Sequence, residues 1–327
     1  MKPVVVLTNP KSRKNRNRPN RVRQLQAVAG DLAEVHAPQS MEQLRALLAS
    51  WASAMPRYVV IDGGDGTLHC YLREFVNTFP RVWESHAMPA VLITPSGTIN
   101  FVASHLGHRV DCVELLRQLN GRLVSGFELP IEMVPSLDIT VRDQDGDERR
   151  LLAFACSPAG VGPRFFKHYY ASSRPGVSTA CLLIARLLVT MPFSGSAGKS
   201  VIEPLSLTVS VDGRTLPQSS FNLIGVASIP INLKLFRLFF YPDSPQKLSI
   251  IVGSPSLFGI LKNIPRMIIG SKLRDGQFGE SSGAEMLVEG LDTVSWSAVI
   301  EGDVYNHLSF FGVAQGPPIP FVRLGTK

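Results

Sequence analysis

The chain has 327 residues, with 33 Lys plus Arg against 26 Asp plus Glu and a formal net charge of +7. Hydrophobic residues make up 45% and charged residues 18%, which excludes a disordered, collagen-like or low-complexity chain and leaves material for two domains. A basic, rather apolar chain suits an anionic partner: a nucleotide, a nucleic acid or a membrane surface.

Cys70, Cys112, Cys156 and Cys181 are irregularly spaced with no C-x-x-C pair. That pattern predicts reduced thiols in a cytoplasmic protein rather than a zinc site or a disulfide framework. The seven histidines show no metal-ligand spacing either. The run Val4–Leu7 is too short for a signal-peptide core, and the apolar stretch from Val177 to Phe193 is broken by Arg186. The expectation is a protein neither secreted nor membrane-spanning.

The first third alternates strand and helix signals. Val4–Leu7 reads as a strand ended by Asn9-Pro10. Ser40 and Gln43 form a capping-box pattern ahead of Leu44, Leu47, Leu48 and Trp51 at helical spacing. Tyr58–Ile61 is a second strand, and Leu68 to Phe79 follow as an amphipathic helix. Ala90–Ile93 is a third strand. Asp111 and Glu114 open a further helix, which Gly121 is expected to end. Such alternation predicts a parallel sheet covered on both faces.

After about residue 130 the pattern turns to β. Leu137–Val141 and Leu151–Cys156 flank Asp145-Gly146, and Leu205–Val211 and Asn222–Val226 flank Asp212-Gly213, which are hairpin signals. Leu248–Val252, Met286–Val288 and Val294–Ile300 also read as strands. The expected organisation is a nucleotide-binding α/β domain over residues 1–128 and an antiparallel β-sandwich domain over 129–327.

Three loops after strands carry the chemistry. Asp62-Gly63-Gly64-Asp65-Gly66-Thr67 sits between a strand and a helix, where glycines permit close backbone approach and the helix start offers unpaired amides to phosphate. Asp65 inside that loop is expected to hold a metal or to accept bonds from loop amides or ribose. Pro95-Ser96-Gly97-Thr98-Ile99-Asn100 and Thr8-Asn9-Pro10-Lys11-Ser12 also follow strands. Loops at the carboxyl ends of parallel strands line one crevice, so all three should converge.

This trio resembles the diacylglycerol kinase catalytic family, which includes bacterial soluble lipid kinases and sphingosine and ceramide kinases. The Gly-rich motif alone is shared with NAD kinases and phosphofructokinases; the second loop points to the lipid-kinase branch. The resemblance implies a two-domain fold and an ATP- and Mg2+-dependent kinase acting on a lipid hydroxyl. The lipid would be a diacylglycerol, a sphingoid base or a ceramide-like alcohol. By the same resemblance Asn9, Lys11 and Ser12 touch the nucleotide. Gly63, Gly64, Asp65, Gly66 and Thr67 hold its phosphates, and Ser96, Gly97, Thr98 and Asn100 complete the pocket. The family's Asp-Gly-Glu triplet reads Glu301-Gly302-Asp303 here, which puts Asp303 in the acid–base position with Glu301 beside it. Asp65 is implied as a third catalytic carboxylate, and Asp243 and Asp65 as magnesium partners. Departures are Arg13, His69, Phe101 and Asp243-Ser244-Pro245, where the family more often has Gly, Asn, Asp and Asp-Asp-Gly. A NAD kinase-like enzyme and a non-catalytic lipid- or nucleotide-binding relative are the alternatives.

Two further features concern partners. Lys11, Arg13, Lys14, Arg16, Arg18, Arg21 and Arg23 lie in a stretch with no acid from Met1 to Gly30. It reads as a solvated face, or as an attractor of ATP phosphates or anionic lipid. No aromatic residue interleaves it, which argues against nucleic acid. Leu257, Ile260, Leu261, Ile264 and Ile268 lie at helical spacing among Lys262, Arg266, Lys272 and Arg274, with Ser256 as cap and Pro265 as a kink. This stretch and Leu233–Tyr241 suit either the β domain or a lipid interface. The expectation is a cytoplasmic protein, peripheral at the inner face of the membrane, with its oligomeric state open, a homodimer included.

Overall fold

A computed structural model describes residues 2–84, 87–171, 179, 182, 202–233, 236–239, 247–291 and 294–324. The chain forms two compact units, Met1–Val134 with Pro317–Lys327, and Pro135–Gly316. The crossing therefore falls at Val134–Pro135, a little past the expected boundary, and the C-terminal residues return to the first unit.

The first unit runs β1 (Val4–Thr8), α1 (Arg21–Ala29), β2 (Ala33–His36), α2 (Met41–Ala49), β3 (Tyr58–Asp62), α3 (Asp65–Thr78), α4 (Pro80–Glu84), β4 (Ala90–Ile93), α5 (Phe101–His105) and α6 (Cys112–Val124). Its strands are parallel in the order β2-β1-β3-β4. A returning C-terminal strand pairs Phe321 with Val91. Every residue of β1 and β3 is buried, as expected for a sheet covered on both faces. On one face Val4, Val6, Tyr58, Val60 and Leu92 pack with Leu25 of α1 and Leu115, Leu116 and Leu119 of α6. Their neighbours Val5, Val59 and Ile61, also fully buried, point to the other face. His108 ties the returning strand in: its Nε2 accepts from Leu324 N at 3.3 Å while Nδ1 donates to Ile93 O at 2.8 Å. Burial lowers its pKa, which favours the neutral ring, and the Ile93 carbonyl and Leu324 amide set the tautomer.

Side-chain caps set the starts of α2 and α6. Ser40 Oγ accepts from Gln43 N at 3.3 Å, and Asp111 Oδ1 accepts from Val113 N at 3.0 Å. Helix α3 begins at Asp65 rather than Leu68, because Gly64 O already accepts from Thr67 N and Leu68 N. Gly121 does not end α6. The helix continues to Val124, held by buried Leu115, Leu116 and Leu119, at the modest cost of one interior glycine. Gly126, at φ +68°, makes the left-handed exit instead.

The second unit is antiparallel β-rich. It contains β5 (Ile131–Asp143, entered from the first unit), β6 (Glu148–Ala153), β7 (Ala155–Gly160), α7 (Val161–Tyr170), β8 (Leu205–Val211), β9 (Arg214–Thr215), β10 (Ser220–Phe221) and β11 (Leu223–Ala227). There follow β12 (Ile231–Leu233), β13 (Phe236–Leu238), β14 (Leu248–Gly253), α8 (Leu257–Ile269), β15 (Arg274–Asp275), β16 (Phe278–Gly283), β17 (Glu285–Gly290), β18 (Trp296–Ile300) and β19 (Asp303–Val322). The Asp145-Gly146 and Asp212-Gly213 turns join antiparallel pairs. Its core includes Leu137, Ile139, Phe221, Ile224, Ile250, Met286, Trp296 and Phe311. The expected strand Leu151–Cys156 is broken at Phe154, because the Phe154 and Ala155 amides turn to the carboxylate of Glu301 at 2.6 and 3.0 Å. The expected strand Asn222–Val226 starts one residue later and ends one later, as β11, with Asn222 separating it from β10. Among the described residues no helix is long and apolar enough to cross a membrane.

Candidate nucleotide site

In the order β2-β1-β3-β4, the chain leaves β1 toward one side of the sheet and β3 toward the other. Loops at the carboxyl ends of two such neighbours part and leave a crevice. Asn9 lies at that end of β1 and Gly63-Gly64 at that end of β3.

The three loops are tied at this point. Asn9 Nδ2 donates to Thr67 Oγ1 at 3.0 Å, and Asn9 Oδ1 accepts from Lys11 N at 2.9 Å. Ser96 N donates to Gly63 O at 3.0 Å, and Lys14 N to Ser96 O at 3.2 Å. The Gly-rich loop and the second loop meet backbone to backbone: a Cβ on Gly64 would fall 2.5 Å from Gly97 Cα. Asn100 closes the second loop in the left-handed region, φ +57° and ψ +44°, accepting from Gly97 N at 2.7 Å and donating to Gly97 O at 3.1 Å. Thr98 is half-buried and Gly66 exposed.

Asp65 uses both carboxylate oxygens on backbone. Oδ2 accepts from Phe101 N at 3.1 Å and Oδ1 from Val102 N at 3.3 Å, so Asp65 caps α5 from across the site. Burial pushes its pKa up to about 6 despite these amides. Of the roles expected for Asp65, acceptance of loop amides is the one these contacts display.

Beneath the loops lies a carboxylate to which the sequence reading assigned no role. Asp62 is fully buried and accepts from Thr8 Oγ1 (2.7 Å), Asn15 Nδ2 (3.0 Å), Arg21 Nε and Nη2 (both 2.8 Å) and Ser96 Oγ (3.2 Å). Arg21 continues to Asp111 at 2.8 Å, and Arg18 also pairs with Asp111. The two carboxylates raise the Arg21 pKa against the opposing effect of burial. Arg21, expected as one of a run of surface cations, is therefore a buried strut, only 3% exposed. Lys11, Arg13, Lys14, Arg16, Arg18 and Arg23 remain exposed.

A nucleotide's phosphates fit this arrangement. Glycines let backbone approach closely, the first amides of α3 have no carbonyl ahead of them, and six cations of the basic run are exposed. Ser12 Oγ and Asn15 Oδ1 are buried beside the first loop without a hydrogen-bond partner. A magnesium cage is not evident: among the described residues no three His, Cys, Asp or Glu side chains cluster. Asp243 lies outside the described residues.

The second unit holds the remaining predicted residues on one turn. Glu301 and Gly302 link β18 to β19 with φ +53° and +94°, a two-residue turn of the I′ kind flanked by the pair Ile300 and Asp303. Glu301 Oε1 is held by the Phe154 and Ala155 amides described above. Tyr170 Oη donates to Gly302 O at 2.8 Å, and burial together with the Asp303 charge raises its pKa. Asp303 itself is exposed.

Residues 3–129 match the family model of the diacylglycerol kinase catalytic domain. No curated protein shows significant sequence similarity to the chain. Among solved structures, the chain resembles a protein from Bacillus anthracis strain Sterne described as a candidate diacylglycerol kinase. That match has a TM-score of 0.67 and 13% identity, covering 98% of this chain and 96% of the other. A second diacylglycerol kinase structure from the same organism gives a TM-score of 0.61 at 14% identity, covering 98% and 96%. Yeast NADH kinase complexed with NADH gives 0.54 at 12% identity, covering 99% and 84%. At these identities the likeness establishes the shared fold.

Proposed function

We propose, from the premise that residues 3–129 belong to the diacylglycerol kinase catalytic family, that the chain transfers the γ-phosphoryl group of ATP to a hydroxyl of a membrane lipid. The observation that carries this reading is the back-to-back packing of Gly64 on Gly97. It joins the phosphate loop to the second loop, whose motif resembles that of the lipid-kinase branch.

In this reading the glycine backbone and α3 amides receive the phosphates, with Asn9, Lys11, Ser12, Thr67 and Thr98 around the nucleotide. Asp303 accepts the proton of the lipid hydroxyl as its oxygen bonds to the γ-phosphorus and the bond to the β-phosphate oxygen breaks, releasing ADP. Mg2+ would accompany the nucleotide and offset the charge of its phosphates. Acceptor candidates are diacylglycerol, a sphingoid base and a ceramide-like alcohol. The protein works from water on a bilayer, at the cytoplasmic face.

The deciding experiment incubates the full chain and γ-labelled ATP with vesicles of mixed lipids, and with NAD in parallel. Label in a lipid, with its rate lowered about tenfold or more by Asp303→Ala, is expected. Label in NAD instead would overturn the lipid reading, and ATP binding without transfer to any acceptor would identify a non-catalytic relative.

A further inference from the structure

Helix α8 is apolar on more than its inner side: Met267 packs on the core with Leu273 and Phe278, yet four large apolar side chains face outward, where an ordinary surface helix carries polar ones. On the inner side Gly259 and Asn263 are buried. Asn263 Nδ2 donates to Gly259 O at 2.9 Å and Arg274 O at 3.2 Å, while its Oδ1 accepts from Arg274 N at 3.2 Å. Gly259 sits against Asp275, whose Oδ2 would lie 2.4 Å from an added Cβ. On the outer side Phe258, Leu261, Ile268 and Ile269 are 74%, 37%, 42% and 67% exposed. Their spacing places them along one side of the helix, with exposed Pro265 between them.

Charge selects what covers this ridge. No Asp or Glu occurs from Ser254 to Arg274, while Lys262, Arg266, Lys272 and Arg274 do. Lys262 and Arg274 are exposed beside the ridge; Arg266 leans on the Lys272 carbonyl at 3.2 Å. In a symmetric pair of copies the same patch would meet itself and bring like charges together. A bilayer bearing anionic headgroups offers both the apolar interior and the opposite charge.

We propose that α8 is an interfacial helix that docks the chain on an anionic lipid bilayer. Phe258, Leu261, Ile268 and Ile269 enter the headgroup–acyl boundary, and Lys262 and Arg274 meet lipid phosphates. The proposal deepens the lipid-kinase reading and rests on it for the location of the substrate.

Co-sedimentation with vesicles tests it, comparing phosphatidylcholine alone with phosphatidylcholine containing about one-third phosphatidylglycerol. The full chain is expected to bind the anionic vesicles about tenfold or more tightly than the neutral ones. Phe258→Ser/Ile269→Ser and Lys262→Glu/Arg274→Glu are each expected to lose about tenfold or more on anionic vesicles, with thermal unfolding unchanged. A Phe258→Trp variant gives a second readout: its emission should shift to the blue with anionic vesicles. Equal binding to both vesicle types, or full binding by Phe258→Ser/Ile269→Ser, would overturn the proposal. So would a dimer, seen by sedimentation velocity, that this double variant abolishes while the wild type ignores vesicles. Because the readout is binding, the two readings fail separately. Docking without phosphate transfer to any lipid removes the kinase reading alone; transfer to lipid in detergent micelles by a chain that ignores vesicles removes the docking helix alone.

Discussion

Gly64 and Gly97 face each other with no room for a side chain on either: an added Cβ would lie 2.5 Å from the opposite Cα in one direction and 2.6 Å in the other. Both partners are backbone, so no rotamer change relieves the clash. Gly66, in the same loop, has nothing within 4 Å of such an atom.

The first prediction follows from that contrast. Gly64→Ala and Gly97→Ala should each weaken ATP binding by about tenfold or more, because the two loops must part before either Cβ fits. Gly66→Ala should leave thermal stability within about 0.5 kcal/mol, as expected for an unobstructed position near a helix start. Calorimetric titration with ATP and thermal unfolding of the three variants check this. Wild-type ATP affinity in Gly64→Ala would show that the contact does not shape the pocket.

A second prediction concerns the strut below the loops. The Arg21 and Asp62 side chains are 4% and 0% exposed and joined by two bonds. Arg21→Met leaves the Asp62 carboxylate buried with only neutral donors, a change that costs about 3–5 kcal/mol. Arg21→Lys should recover little, since one ammonium cannot reproduce a fork bonding Asp62 and Asp111 together. Urea unfolding should show midpoints displaced in both variants, and a loss below about 1 kcal/mol in Arg21→Met would remove the strut from the account of the site.

Much of the first unit is legible in the sequence because its signals are local. Val4–Leu7, Tyr58–Ile61 and Ala90–Ile93 are short apolar runs, and Ser40 and Asp111 cap helices with their own side chains. The parallel-sheet rule then brings the three loops together without knowledge of any side-chain contact. What escapes is non-local. Arg21 reads as one cation among seven, since nothing near it in the chain reveals that Asp62 and Asp111 claim it from 41 and 90 residues away. Glu301 reads as a reactive carboxylate, yet Oε1 is held by amides nearly 150 residues earlier. The return of residues 317–324 to the first unit is likewise invisible to periodicity. Helix α8 reads as amphipathic, but periodicity cannot say which face turns outward.

Asp65 supplies a prediction in pH. Its pKa is raised from 3.8 to about 6 in the folded chain, chiefly by burial. Between those values the folded state keeps a proton that the unfolded state has lost. Stability attached to this group is therefore present below pH 4 and falls as pH rises through about 6. Asp65→Asn removes the titration while keeping one acceptor oxygen for the α5 amides. The stability of Asp65→Asn relative to wild type should thus grow between pH 4 and 6 and level off above. Denaturant midpoints of both proteins across pH 3–8 test this, and a difference independent of pH would mean that Asp65 titrates as an ordinary carboxylate.

The turn at Glu301-Gly302-Asp303 separates two roles by burial. Glu301 stands at φ +53°, which is unfavourable for a residue with a Cβ, and its carboxylate bonds the two amides at the break between β6 and β7. Glu301→Ala leaves both amides unpaired and should cost about 2 kcal/mol or more, since each buried unpaired group costs about 1–3 kcal/mol. Asp303 is exposed, so Asp303→Ala should leave the unfolding midpoint nearly unchanged. If Asp303 receives the proton of the acceptor hydroxyl, turnover in Asp303→Ala falls by about tenfold or more with KM for ATP preserved. Initial rates on lipid vesicles, paired with thermal unfolding of the same preparations, distinguish the two variants. Wild-type turnover in Asp303→Ala would move the acid–base role to another carboxylate. A loss of rate without a loss of stability in Glu301→Ala would assign that role to Glu301 and make its two amide bonds a means of holding the base in place.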